Sequence, residues 1–135
     1  MGQWHHRQPQ GEVEVTGAPP LILHLETRDG ERVLTLWKRG APYQRAKEIA
    51  AHAVPTDRWV ELLFHLRWSL GDDGFVEAWF DGKPWTAGKV YGNTLYRANG
   101  NYLRLGLYRG RGYHTTNRLF LDDVRIGPTR ASVEG

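Results

Sequence analysis

The chain contains 135 residues, of which 40% are hydrophobic, and this content predicts a single domain with one core over residues 1–135. Its apolar runs fall far short of the roughly 18 residues that a membrane-spanning helix needs, so we expect no membrane partner. Because the sequence has no cysteine, a disulfide scaffold and thiolate metal ligands are excluded.

The charge of the chain favours an anionic partner. The formal net charge is +3, and six histidines add positive charge below their reference pKa of about 6.5. The basic residues are scattered among acidic ones, without the runs or motifs of nucleic-acid-binding folds, so we expect no nucleic acid partner. A positive net charge suits an acidic polysaccharide as well as it suits a nucleic acid, so we expect an acidic polysaccharide partner. The sequence does not show the basic segment followed by an apolar run that marks a secretory signal.

The first predicted element is a β-hairpin. Leucines alternate with other residues from Leu21 to Leu25, as in a strand with one buried face. Residues 28–31, with the sequence Arg-Asp-Gly-Glu, supply a turn into a second strand from Val33 to Lys38. In the following segment, residues 45–54 contain enough Ala, Lys and Glu to predict a turn or two of helix.

The middle of the chain predicts a second hairpin. Apolar and polar residues alternate from Trp59 to Trp68, which indicates a strand with one buried face. A Gly-Asp-Asp-Gly turn at residues 71–74 leads into a strand from Phe75 to Phe80, and Asp81-Gly82 turns the chain again.

The remainder of the chain predicts a loop and two closing strands. Residues 86–101 are rich in Gly, Asn and Tyr without periodicity, as in a long binding loop. Residues 102–108 and 118–126 alternate again. With about seven to nine strands and no long helix, the chain is predicted to be an all-β antiparallel sandwich or jelly roll.

Three stretches resemble the polysaccharide lyases of the heparin lyase I and glucuronan lyase type. They are Gln3-Trp4-His5 followed by Pro19-Pro20-Leu21, then residues 59–68 and 74–83, and finally residues 102–109, 116–117 and 121–127. The resemblance implies a concanavalin A-like jelly roll and an extracellular or periplasmic location. It also implies further strands before Gln3, so we expect a domain shortened at its N-terminus, with exposed sheet edges that favour a homodimer.

The implied reaction is β-elimination at a uronic acid in an acidic polysaccharide. It needs a cation or amide to neutralise the carboxylate, a base for the C5 proton and an acid for the departing O4. By the resemblance, His5 is the base, and alternation along the strand puts Gln3 on the same face as His5. A solvent-exposed histidine without function is the alternative.

The stretch from Tyr102 to Tyr108 divides into two faces. Leu103, Leu105 and Leu107 form a leucine face suited to the core, which leaves Tyr102, Arg104 and Tyr108 for a sugar-binding groove. Tyr108 is then the candidate acid, and the resemblance implies that Arg104 binds a carboxylate or sulfate. Since about 13 Å of strand separates Arg104 from Tyr108, we expect Arg104 to contact a neighbouring sugar unit and Gln3 to bind beside the scissile unit. Aromatic pairs on an ordinary outer sheet face are the alternative.

Two further residues are candidates for substrate binding. Trp79 would stack on a sugar ring or pack in the core, and Asn117 would bind sugar hydroxyls. We expect no cofactor; a structural calcium at Asp122-Asp123 is disfavoured because neighbouring strand residues point to opposite faces. The alternative function is a non-catalytic carbohydrate-binding module, or an inactive truncated lyase, which would bind polysaccharide without releasing product.

Overall fold

The computed structural model describes residues 1–7, 17–109 and 116–134. The chain divides into two compact units, Met1–Leu105 and Gly106–Gly135. The strands of the first unit are β1 (Gly2–His6), β2 (Leu21–Arg28), β3 (Glu31–Lys38), β4 (Lys47–Ala53), β5 (Leu62–Arg67), β6 (Phe75–Phe80), β7 (Lys83–Pro84), β8 (Val90–Tyr91) and β9 (Asn101–Leu105). The predicted all-β class is confirmed. The described part of the chain contains no helix long and apolar enough to cross a membrane.

The first sheet contains five antiparallel strands in the order β4-β3-β2-β1-β9. Its centre is the predicted hairpin of β2 and β3, which is confirmed. Asp29 and Gly30 form the turn with φ angles of 50° and 84°, a backbone that Asp tolerates and Gly adopts without strain. Strands β4 and β9 end this order, and dimerisation at a sheet edge stays a prediction.

The helix predicted within residues 45–54 is wrong, because Lys47–Ala53 form the edge strand β4. Ala50 is buried in the core, and the segment pairs with β3 over most of its length. Helix propensities of Ala, Lys and Glu differ from those of other residues by tenths of a kcal/mol, on the order of 0.5 each, so pairing and burial decide the structure. The register shifts between Leu36 and Trp37, which marks a bulge or irregularity.

The second sheet is built around β6, which pairs with β5, β7 and β8. The predicted turn at Asp81 and Gly82 is confirmed, with φ angles of 49° and 73°. The strand predicted from Trp59 starts instead at Leu62. The Asp81 carboxylate accepts hydrogen bonds from the Glu61 amide at 2.9 Å and from Arg58 at 2.7 Å, and the Asp81 amide donates to the Glu61 carbonyl at 2.9 Å. The turn after β6 therefore holds the residues just before Leu62.

The two sheets enclose one hydrophobic core. Both sheets contribute to it: Trp4, Leu21, Leu23, Leu34, Leu36 and Ala50 come from the first, and Val76, Ala78 and Phe80 from the second. The rings of Trp4 and Phe64 meet edge to face at 5.0 Å, which joins the sheets directly. The alternation predicted for β5 is also found, since Leu62, Phe64 and Leu66 pack against this core.

The long segment before β9 is mostly loop, as predicted, with the short strand β8 inside it. The Thr94 hydroxyl anchors it by donating to the Arg67 carbonyl at 2.7 Å and accepting from the Ser69 amide at 2.9 Å. A Cβ at Gly74 would lie 2.7 Å from the Gly92 carbonyl oxygen and the Thr94 hydroxyl, so only glycine lets this loop approach β6.

The second unit contains a short 3-10 helix at Arg130–Ser132, capped by Thr129. The strand predicted over residues 118–126 is absent from it. Asp123 has a φ angle of 51°, outside the strand region, and Asp122 accepts a hydrogen bond from its amide at 2.8 Å. The strand predicted over residues 102–108 likewise ends at Leu105, because Gly106 has a φ angle of 145°. Leu105 and Leu107 are exposed, so of the predicted leucine face only Leu103 packs on the core.

Candidate active site on the five-stranded sheet

Strands β1 and β9 bring together four of the residues predicted from the sequence. In their register Gln3 is opposite Arg104 and His5 is opposite Tyr102. Residues opposite each other in an antiparallel pair share a face, with Cβ atoms about 5 Å apart. Since Trp4 is buried in the core, the side chains of Gln3 and His5 belong to the face that points away from it. We call this side of the sheet the outer face.

His5 has the surroundings of a positioned imidazole. Its Nδ1 is 3.1 Å from the carbonyl oxygen of His6, which can only accept a hydrogen bond. A neutral ring making this bond carries its proton on Nδ1, so the lone pair lies on Nε2. The ring centroid lies 4.4 Å from that of His6 and 5.8 Å from that of Tyr102. Such an arrangement lets Nε2 accept a proton from a bound molecule.

Arg104 supplies positive charge beside this histidine. Its guanidinium carbon lies 5.0 Å from the Tyr102 ring centroid, a cation–π contact. The side chain is exposed, and no carboxylate within the described ranges pairs with it. Its hydrogen-bond donors are therefore available for an anionic group, which arginine can bind through two parallel hydrogen bonds.

The outer face continues across β2 and β3 through residues that the sequence predictions did not include in the site. Gln3 is opposite Ile22 on β2, and Ile22 is opposite Trp37 on β3. His24 lies on the same face, and its ring centroid is 6.2 Å from that of Trp37. Alternation in the sequence of β2 could have predicted Ile22 and His24, because it separates them from the core leucines. No local sequence pattern predicts the pairing with Trp37.

A chain of polar contacts fixes the far part of the outer face. The Trp37 indole donates to the Thr35 hydroxyl at 2.8 Å, and that hydroxyl is 3.1 Å from the Glu26 carboxylate. Arg28 pairs with Glu26 at 2.6 Å and also with Glu48. Hydrogen bonding to Arg28 lowers the pKa of Glu48, and the same bonds raise the pKa of Arg28. Here the charges neutralise one another within the protein.

The remaining predicted residues lie elsewhere. Trp79 is half-buried on β6, opposite Leu63 and Pro84, and its neighbours Ala78 and Phe80 face the core. It therefore belongs to the outside of the four-stranded sheet and not to the face of His5. Tyr108 and Asn117 belong to the second unit, where both are exposed and Tyr108 is 91% accessible.

No group of three or more His, Asp or Glu side chains arranged to hold a metal ion occurs in residues 1–7, 17–109 and 116–134. At the position considered for calcium, Asp123 forms an ion pair with Arg125 at 2.8 Å, and Asp122 bonds to the backbone.

Comparison with known proteins places the chain in a family. The family model described as Polysaccharide lyase matches residues 1–125. The chain belongs to the polysaccharide lyase family. No curated protein and no solved structure gives a significant match. The match agrees with the resemblance seen in the sequence at the level of polysaccharide lyases. The matched residues include those of the outer face and also Tyr108 and Asn117.

Proposed function

We propose that the protein cleaves a uronic-acid-containing polysaccharide by β-elimination on the outer face of the five-stranded sheet. The observation that carries the proposal is the register of β1 and β9, which sets His5 and Gln3 beside Tyr102 and Arg104. A lyase needs a proton acceptor, donors for a carboxylate and a hydroxyl-bearing residue, and these four side chains supply all three kinds of group.

The reaction requires no group beyond substrate and protein. Gln3 and Arg104 bind the uronate carboxylate, which stabilises the negative charge that develops when C5 loses its proton. Nε2 of His5 takes that proton. The electron pair of the C5–H bond forms the C4–C5 double bond, the C4–O4 bond breaks, and an acid protonates the departing oxygen. The products are one fragment with a new reducing end, which carries the departing oxygen, and a second fragment with the unsaturated uronate at its non-reducing end.

The test of this proposal is the ultraviolet absorbance of the unsaturated uronate after mixing the protein with glucuronan, alginate or heparin. We expect absorbance to rise on at least one polymer, and His5→Ala to lower kcat by about 10²–10⁴-fold, the usual contribution of a general base. His65→Gln is the matched control, because His65 is an exposed histidine on the four-stranded sheet, paired with Glu77 at 3.3 Å. Retained polysaccharide binding by folded protein without any product would instead indicate a binding module.

Two tyrosines are candidates for the acid. Tyr108 is the one predicted from the face pattern of residues 102–108, whereas Tyr102 is supported by its ring centroid 5.8 Å from that of His5. Replacing the acid by phenylalanine should lower kcat by about 10²–10⁴-fold, while the other replacement leaves it within a few-fold. Steady-state kinetics of Tyr102→Phe and Tyr108→Phe separate the two. Full activity in both variants would show that neither hydroxyl is the acid.

A further inference from the structure

A shallow depression lies on the outer face away from His5. Its volume is about 250 Å³, and its lining is Ile22, His24, Trp37, Arg39, Arg45 and Ala46. The first three residues come from β2 and β3, and the last three from the connection between β3 and β4. An aromatic and aliphatic base with cations at one side is the composition of a site for a ligand that has both an apolar face and a negative charge.

The base of the depression is held in place by the sheet. The hydrogen bond from the Trp37 indole to Thr35, at 2.8 Å, fixes the ring along its own strand. Thr35 is fully buried, so this anchor is firm. The register of β3 with β4 shifts between Leu36 and Trp37, and pairing resumes with Trp37 opposite Glu48, so Trp37 stands beside a bulge or irregularity of the ladder. Trp37 stays half-buried, which leaves part of its ring for contact with the apolar face of a sugar.

The positive charge of the depression is not neutralised within the described part of the protein. Residues 38–47 contain four basic residues and no acidic one. Neither Arg39 nor Arg45 forms an ion pair there, and the buried Nε of Arg39 has no hydrogen-bond partner. Partial burial lowers the pKa of His24, so at neutral pH the charge comes from the arginines.

Hydrogen bonds hold both the backbone and the side chain of Arg39 in place. The Arg39 amide donates to the Pro20 carbonyl at 2.8 Å, and its guanidinium donates to the Gln44 carbonyl. Lys38, on the neighbouring position, points elsewhere, because its ammonium donates to the Asn93 carbonyl at 3.0 Å. Arg39 and Arg45 are therefore the cations of this depression.

The position of the depression relates it to the candidate active site. Trp37 is two strands from Gln3 in the same row, which at about 4.8 Å per strand puts their backbones roughly 10 Å apart. We propose that the depression is a second sugar subsite, which stacks a remote unit of the polymer on Trp37 and binds its carboxylate or sulfate through Arg39 and Arg45. This inference rests on the proposed function for the identity of the polymer, and it names residues outside the reacting centre.

The first test compares long and short substrates. Trp37→Ala should lower kcat/KM about tenfold for long oligosaccharides, as expected for the loss of one aromatic contact, and leave the shortest cleaved oligosaccharide unchanged. Trp59→Ala is the matched control, because Trp59 is 64% exposed and lies outside both sheets. Equal losses on long and short substrates, or no loss on either, would overturn the subsite.

The second test uses charge and avoids any risk to folding. Arg45 is exposed, so Arg45→Gln should fold normally and weaken binding of the acidic polymer several-fold, with no effect on the same polymer after its carboxylates are reduced. Arg32→Gln, at an exposed arginine of β3, is the control. Equal binding of the acidic polymer by Arg45→Gln and the unsubstituted protein would contradict the role of Arg45.

Direct binding separates this inference from the proposed function. Calorimetry of the acidic polymer with His5→Ala, and with His5→Ala combined with Trp37→Ala, measures the subsite without turnover. Weaker binding in the double variant supports the subsite even if the protein never releases an unsaturated product. Identical binding by the two variants would overturn the subsite. If the unsubstituted protein still released the unsaturated product, the proposed lyase function would stand without it.

Discussion

The outer surfaces of the two sheets differ in what their cations contact. On and beside the four-stranded sheet, Arg67 pairs with Asp73 at 2.5 Å and Arg58 pairs with Asp81 at 2.7 Å. On β9 of the five-stranded sheet, Arg104 contacts only the Tyr102 ring among the partners found in the described residues. A surface arginine paired with a carboxylate has its donors occupied, whereas an unpaired one can bind an anion from solution. Because Arg28 on β2 is also neutralised, by Glu26 and Glu48, the comparison favours the β9 side of the five-stranded sheet as the place where the proposed acidic polymer would bind.

Removing one arginine from each face tests whether the unpaired arginine matters more for the acidic polymer than the paired one. Arg104→Gln should lower kcat/KM for the acidic polymer by about 10- to 100-fold, the value of one or two hydrogen bonds to a charged group. Arg67→Gln should leave it within about twofold, because that side chain already serves Asp73. Steady-state rates of product release measure both. Equal losses in the two variants would mean that only the overall charge matters.

A smaller effect concerns stability on the four-stranded side. Arg58 and the Glu61 amide hydrogen-bond to Asp81 and lower its pKa. A lowered carboxylate pKa stabilises the folded state above the unfolded pKa, about 3.9, and this contribution is lost as pH falls through the folded pKa. Asp81→Asn keeps the turn, because Asn tolerates positive φ, but removes the charge.

We therefore expect Asp81→Asn to lower the free energy of unfolding at neutral pH by no more than about 1 kcal/mol, as for an exposed ion pair. The difference from the unsubstituted protein should shrink as the pH falls below about 4. Lyase activity should stay unchanged. Urea unfolding at a series of pH values measures this, and a difference that grows in acid would contradict the assignment.

The sequence predicted the strands whose patterns are local. Alternation located β2, β3, β5 and β6, and the Asp-Gly pairs at residues 29–30 and 81–82 located their turns. It failed for β4, because this strand lies at a sheet edge with mostly exposed side chains, so no apolar alternation distinguishes it from a short helix. The sequence also predicted β9 to continue to residue 108. The strand ends earlier because of the φ angle of Gly106, which apolar alternation does not reveal.

The candidate site was predictable only in part for a related reason. The sequence shows that Gln3 and His5 share one face and that Tyr102 and Arg104 share another. It does not show that these two faces are neighbours, because the register of β1 with β9 joins residues about a hundred positions apart. Trp37 was missed in the same way: its place beside Ile22 and Gln3 follows from pairing across three strands.

The most direct test of the account is a crystal structure of His5→Ala with an acidic oligosaccharide bound. We expect sugar on the outer face of the five-stranded sheet, with a carboxylate within hydrogen-bond distance of Gln3 or Arg104 and with Tyr102 beside the same sugar unit. Oligosaccharide bound instead on the four-stranded sheet at Trp79, with the face of Gln3 and Arg104 empty, would contradict it.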